Sequence, residues 1–163
     1  MNRLVILIVE DEPEVRDALA RDLESYSSLC RIEAVEDVPE AREVAQSIVR
    51  DGDRLALALC DHLLPGTRGV DFLVELNRNP KTAPVRKVLV TGQAGLQDTI
   101  KAVNEANLHH YIAKPWTLDE LTGVVRKQLT EYVLDQQMDV LPYIGVLDGE
   151  RLLSARNLRN LSE

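Results

Sequence analysis

The chain has few cysteines, no long apolar run and no excess of positive charge. Cys30 and Cys60 are its only two cysteines in 163 residues, and both lie in apolar segments. They read as buried thiols rather than a disulfide, which suits a cytoplasmic protein. With no CxxC pair and no His/Cys cluster, a donor set for zinc is missing. The longest apolar runs are strand-sized, too short to cross a membrane as a helix. The first of them follows Met1-Asn2-Arg3, as in a signal peptide, but Glu10, Asp11 and Glu12 arrive at once and no small-residue cleavage site follows. A net charge of -8 leaves no basic footprint for direct nucleic-acid binding. Repeats and low-complexity tracts are also absent. What the chain does have is a 45% hydrophobic fraction, enough for a real core, in a length that fits one domain plus a modest extension.

Four short apolar runs end in groups able to do chemistry. The run 4–9 ends in Glu10-Asp11, the run 55–60 in Asp61, the run 88–90 in Thr91-Gly92, and the run 111–113 in Lys114-Pro115. A weaker strand is expected over 30–35. Helical spacing of apolar residues falls between them, over 13–23 with Pro13 at its start, 39–49, 70–76, 99–106, and from 118 onward, where Leu121, Val125 and Leu129 recur. Alternation with short loops predicts an α/β fold, a flavodoxin-like (βα)5 doubly wound parallel sheet with strand order 2-1-3-4-5. In such sheets ligands bind beyond the carboxyl ends of the strands. The four endings then converge, with Glu10, Asp11 and Asp61 as neighbours, Thr91 alongside and Lys114 at the rim.

Gathered carboxylates repel. At roughly 4 Å and an effective dielectric of about 20, a pair costs on the order of 4 kcal/mol. A cluster of this kind persists when one group stays protonated or a cation binds. Its oxygen-only ligands suit Mg2+ or a similar hard cation. Lys114 is a mobile point charge suited to a phosphoryl oxygen, Thr91 offers a hydroxyl, and an Asp carboxylate can itself be a nucleophile that forms an aspartyl phosphate.

Taken together, Glu10-Asp11, Asp61 with Leu64-Pro65-Gly66 and Gly69, Thr91-Gly92, and Tyr111 with Lys114-Pro115 resemble the receiver domain of two-component response regulators. The resemblance covers roughly residues 3–130. It implies that Asp61 accepts a phosphoryl group from a phosphohistidine on a sensor histidine kinase or phosphotransfer protein. It also implies that Asp11, Asp61, the Leu63 backbone carbonyl and, through water, Glu10 hold Mg2+. Lys114 would pair with Asp61 or its phosphoryl group. Thr91 would follow the phosphoryl oxygen on activation, and Tyr111 would be the rotating aromatic that senses the move, with the Gly92-Gln93-Ala94-Gly95 loop absorbing it. The output surface would be the fourth helix, fifth strand and fifth helix, acting on an output domain or effector protein, with Trp116 near it as a contact residue. The chain would not be a conventional enzyme, since it catalyses only its own phosphorylation and dephosphorylation. The second positions after Asp61 and Thr91 influence water access in this family. Here they are Leu63 and Gln93, and apolar Leu63 is expected to lengthen the phosphoryl lifetime.

Other readings of these residues are weaker. A degenerate receiver, acting as a phosphorylation-independent interaction module, is opposed by the intact Asp11, Asp61, Thr91 and Lys114 set. An aspartyl-phosphate phosphatase needs an Asp-x-Asp at the first strand end, where this chain has Glu10-Asp11-Glu12. A flavin-binding version of the fold lacks its phosphate loop. His62 reads as an exposed loop imidazole, and His109-His110 as the start of a strand. Residues 1–130 are expected to form the receiver, and 131–163 a C-terminal extension or a linker to an output domain. A short helix is suggested by Leu152, Leu153, Leu158 and Leu161, with Arg151, Arg156 and Arg159 on a solvated face. The ending Asn160-Leu161-Ser162-Glu163 looks like the start of a further helix. A fifth helix extended through Tyr132, Val133 and Leu134 offers a possible homodimer seam, although its heptad pattern is poor.

Overall fold

A computed structural model describes residues 3–92 and 95–162. Its five strands are β1 (Leu4–Val9), β2 (Cys30–Val35), β3 (Arg54–Cys60), β4 (Arg86–Thr91) and β5 (His110–Ala113). Six helices accompany them: α1 (Pro13–Asp22), α2 (Val38–Arg50), α3 (Gly69–Arg78), α4 (Leu96–Glu105), α5 (Leu118–Asp135) and α6 (Gly149–Ser162). All strand pairs are parallel, in the expected order β2-β1-β3-β4-β5. The alternation along β1 builds two cores. Leu4, Ile6 and Ile8 face the side covered by α1 and α5, while Val5, Leu7 and Val9 face α2 and α3. A sheet buried on both faces explains why the central strands read as unbroken apolar runs. Both cysteine thiols are free and buried.

Helix boundaries shift from the sequence reading by a residue or two, and most at the start of the fourth helix. α4 begins at Leu96 because Gly95 takes the N-cap place. Thr99, where the sequence reading began this helix, lies in the first turn and donates its hydroxyl back to the Gly95 carbonyl at 3.1 Å. α5 continues unbroken through residues 130 and 131 to Asp135. Tyr132 and Val133 on that last stretch are buried in the chain's own core, so they are not a free dimer seam. What covers them is the segment that follows. Val140, Leu147 and Leu152 join the same core, the Asp148 N–H donates to Thr130 Oγ1 at 3.2 Å, and Arg151 grips Glu131 through two bonds of 2.7 and 3.1 Å. Arg151 is thus a link between α5 and α6, not only a solvated side chain. Residues 160–162 lie within α6, which already runs from Gly149. Truncating fully buried Leu152 to Ala is expected to cost about 2–4 kcal/mol, as in any domain core. Urea unfolding of the variant checks this, and an unshifted midpoint would show that the C-terminal segment is merely appended.

His109 contributes a pH dependence. Its Nδ1 accepts the Lys87 backbone N–H at 2.9 Å, so the ring is needed neutral. Burial, then the charges of Arg86 and Lys87, push its pKa from 6.5 down to about 4. Between these values the unfolded chain binds more protons than the folded one. The contribution is therefore complete above pH 6.5 and is lost as pH falls through about 4. Urea midpoints of wild type and His109→Gln should diverge as pH rises from 4 to 7. A constant difference would exclude this role.

Candidate functional site

The sheet register assembles the site. β1 and β3 end together, with Val9 opposite Cys60, and the Asp61 N–H donates to the Val9 carbonyl at 3.0 Å. Glu10 and Asp61 therefore leave the sheet side by side. β4 and β5 also end together, with Thr91 opposite Ala113, and the Lys114 N–H donates to the Thr91 carbonyl at 3.2 Å. All four strand endings named from the sequence thus meet at one edge of the sheet.

Lys114 Nζ bridges the two buried carboxylates, donating to Glu10 Oε1 and, at 2.8 Å, to Asp61 Oδ2. The Thr91 hydroxyl and the Leu63 N–H also bond the Asp61 carboxylate, the latter at 3.3 Å to Oδ1. Burial opposes ionisation of Asp61, but the bonds from Lys114 and Thr91 outweigh it and hold its pKa below the usual value. Glu10 goes the other way. Burial, its largest influence, pushes its pKa up to about 7 against the Lys114 bond, and the Asp61 charge adds to the rise. Lys114 is also desolvated, yet its bonds to Asp61 and Glu10 raise its pKa and keep it an ammonium. The result is one ionised carboxylate, one carboxyl with a pKa pushed up to about 7, and one fixed cation between them.

Asp11 is exposed beside them, and one carboxylate oxygen from each of Glu10, Asp11 and Asp61 lies within 4.8 Å of the others. This all-oxygen group could hold a metal, and its donor chemistry fits a hard divalent cation. Tyr111 is half-buried on β5 and packs against the core on the α2/α3 side. Leu63 presents a half-exposed apolar side chain. Gln93 and Ala94 of the expected switch loop lie outside the described residues.

Two placements correct the sequence reading. His62 is not an exposed loop imidazole but is buried, with its side chain only 2% exposed. The cause is Gly69. A Cβ on it would lie 1.8 Å from the Asp61 carbonyl oxygen, so only glycine lets α3 start directly against this backbone. The loop is drawn in, and the imidazole points toward the first turn of α4, where Nε2 lies 3.1 Å from Asp98 Oδ2. A histidine directly after the acid, with glycine soon after, was the available signal. Trp116 also turns away from the expected surface. Its indole N–H donates to Asp22 Oδ2 on α1 at 2.9 Å, and its ring packs on the α1/α5 core. His110 opens β5 and His109 directly precedes it.

A family model described as response regulator receiver domain matches residues 6–126. Among curated relatives, the hydrogenase transcriptional regulatory protein HoxA of Cupriavidus necator is 30% identical over 163 residues, covering 95% of this chain. The chain spans only 32% of that relative's length. Among solved structures, the signal receiver domain of an HD domain-containing protein from Pseudomonas fluorescens Pf-5 superposes with a TM-score of 0.74 at 22% identity, covering 84% of this chain and 94% of that one. A CheY-like response regulator receiver domain protein from Methanospirillum hungatei JF-1 does so with a TM-score of 0.67 at 25% identity, covering 80% and 97%.

Proposed function

This chain belongs to the response regulator receiver domain family, and from that premise we propose that it is a switch that accepts a phosphoryl group on Asp61. The single observation that carries this reading is an ionised Asp61 carboxylate held between the Lys114 ammonium and the Thr91 hydroxyl. In the proposed reaction an Asp61 oxygen attacks the phosphorus of a phosphohistidine donor. An O–P bond forms, the P–N bond breaks, and the imidazole leaves with its electron pair and takes up a proton. Lys114 offsets the charge on the phosphoryl oxygens, and Thr91 donates its hydroxyl to one of them. Glu10, Asp11, Asp61 and the Leu63 carbonyl would hold Mg2+, which when bound supplies further charge neutralisation at the same oxygens. The acceptor works on itself and returns only by hydrolysis, which apolar Leu63 slows by crowding the approach of water.

A shallow hollow lined by Val15, Ala18, Pro115 and Trp116 lies against Lys114 and suits the docking of a sensor kinase or phosphotransfer protein. On the output side, Leu96, Ile100 and Val103 are exposed along one stripe of α4, and Leu118 is exposed at the start of α5. These residues, with Tyr111 as the sensing aromatic, form the surface offered to an output domain, an effector or a second copy of the chain. Residues 1–130 carry the acceptor site, and 131–163 form a C-terminal extension whose Val140, Leu147 and Leu152 join its core. Among the described residues no helix is long and apolar enough to cross a membrane. The test is intact mass after incubation with Mg2+ and acetyl phosphate. One phosphoryl adduct is expected on wild type, and none on Asp61→Asn or in EDTA. A wild type that gains no adduct and gives no response to beryllofluoride would leave a receiver-shaped interaction module instead.

A further inference from the structure

α4 is weakly anchored for an element of a core. Its only buried residue is Ala102, and its larger apolar side chains face solvent. Polar links hold it in place. Lys101 Nζ reaches Asp71 Oδ1 on α3 at 2.8 Å, Asn77 Nδ2 donates to the Glu105 carbonyl at 3.1 Å, and Asp98 meets His62 at 3.1 Å. The first two links are exposed and end on α3, whereas the third is buried on its histidine side and ends one residue from Asp61.

We propose that His62 is a positioning residue that couples the phosphorylation state of Asp61 to the placement of α4. This inference rests on the reading of Asp61 as phosphoryl acceptor. The backbone of His62 is fixed to the acceptor loop, since its carbonyl accepts the N–H groups of Gly69 at 3.0 Å and Leu64 at 3.1 Å. Its side chain, though buried, has few polar partners. Nδ1 is buried without a hydrogen-bond partner among the described residues, and Arg68 approaches Nε2 only at 3.5 Å. Asp98 therefore sets where the ring points, and the ring sets where the first turn of α4 sits. A phosphoryl group on Asp61 that displaces this loop displaces the imidazole and strains or breaks its bond to Asp98. The contact belongs to the unphosphorylated arrangement and biases the protein toward it. Coupling between two sites is reciprocal, so breaking the His62–Asp98 contact must also change affinity at Asp61.

The test is beryllofluoride binding with Mg2+ to the full chain, read by titration and by backbone amide exchange over residues 96–105. Asp98→Ala removes an exposed carboxylate and leaves the fold intact. It is expected to tighten beryllofluoride binding by about threefold to tenfold. It should also raise α4 exchange in the free protein and shrink the change on binding. His62→Gln should do the same, and the double variant should match either single one. Lys101→Ala breaks an α4 link that ends on α3 and does not lead to Asp61, and is expected to leave the affinity unchanged. Unaltered affinity in Asp98→Ala, additive effects in the double variant, or an equal effect of Lys101→Ala each overturns the inference. A wild type that binds no beryllofluoride overturns the phosphoacceptor reading and this inference with it.

Discussion

Lys114→Met is expected to slow the proposed phosphorylation of Asp61 by acetyl phosphate by about a hundredfold to a thousandfold, the usual effect of deleting one charged donor from a site that stabilises developing negative charge. The ammonium touches both Glu10 and Asp61, and methionine keeps the length of the side chain but none of its donors. Asp61 then loses the strongest of the bonds that hold its pKa down, and burial, which opposes its charge, prevails. The same substitution removes the shared cation from two buried carboxylates. Without metal the variant is expected to lose about 3–5 kcal/mol of stability, as when one partner of a buried pair is deleted. Added Mg2+ should recover part of that stability but not the rate, because a cation held by the carboxylates would supply charge but would not replace the Lys114 hydrogen-bond donor. Time courses of intact mass at saturating Mg2+ measure the rate, and urea midpoints with and without Mg2+ measure the stability. A variant phosphorylated at the wild-type rate would remove Lys114 from the mechanism.

Gly69→Ala is expected to cost about 3 kcal/mol or more, the upper end of the range for overpacking. Its Cβ would lie 1.8 Å from the Asp61 carbonyl oxygen and 2.8 Å from the Asp61 carbonyl carbon. Both obstacles are backbone, so no rotamer change relieves them. Either α3 backs away from the sheet or the acceptor loop moves, and the second course turns Asp61 out of reach of Lys114 and Thr91. Phosphorylation should therefore fall along with the melting temperature. Gly123→Ala supplies the contrast. It lies within α5 with nothing within 4 Å of the added Cβ, and is expected to stabilise by about 1 kcal/mol through helix propensity alone. Thermal melts of the pair decide the matter, and a Gly69→Ala protein that melts with wild type would mean that the close approach is not required.

Much of this site was readable because its chemistry sits at strand ends. An apolar run that stops at a carboxylate, a hydroxyl or an ammonium marks the residue and its place together, and a parallel sheet sends all such endings to one edge. Asp61, Thr91 and Lys114 were legible for that reason, as was the strand order, which follows from alternation and the handedness of crossovers. His62 was not legible, because exposure of a loop residue depends on how closely another element approaches. That approach is set by a missing Cβ at position 69, not by anything in the His62 neighbourhood itself. Trp116 was misplaced for a similar reason. Its sequence position beside Pro115 fixes the loop it occupies, while its indole donor found Asp22, a residue far away in the chain, on α1.

By itself, then, the sequence determined which groups meet and what chemistry they share, since apolar periodicity and strand-end residues are local properties that parallel topology converts into proximity. The tertiary structure alone decided how these groups are charged and what they hold. Burial raises Glu10 while the Lys114 bridge lowers Asp61, two opposite outcomes for neighbouring carboxylates that no local pattern separates. It also decided that the last residues of α5 are covered by α6 instead of facing a partner, because only the folded chain shows which apolar surfaces have already been satisfied.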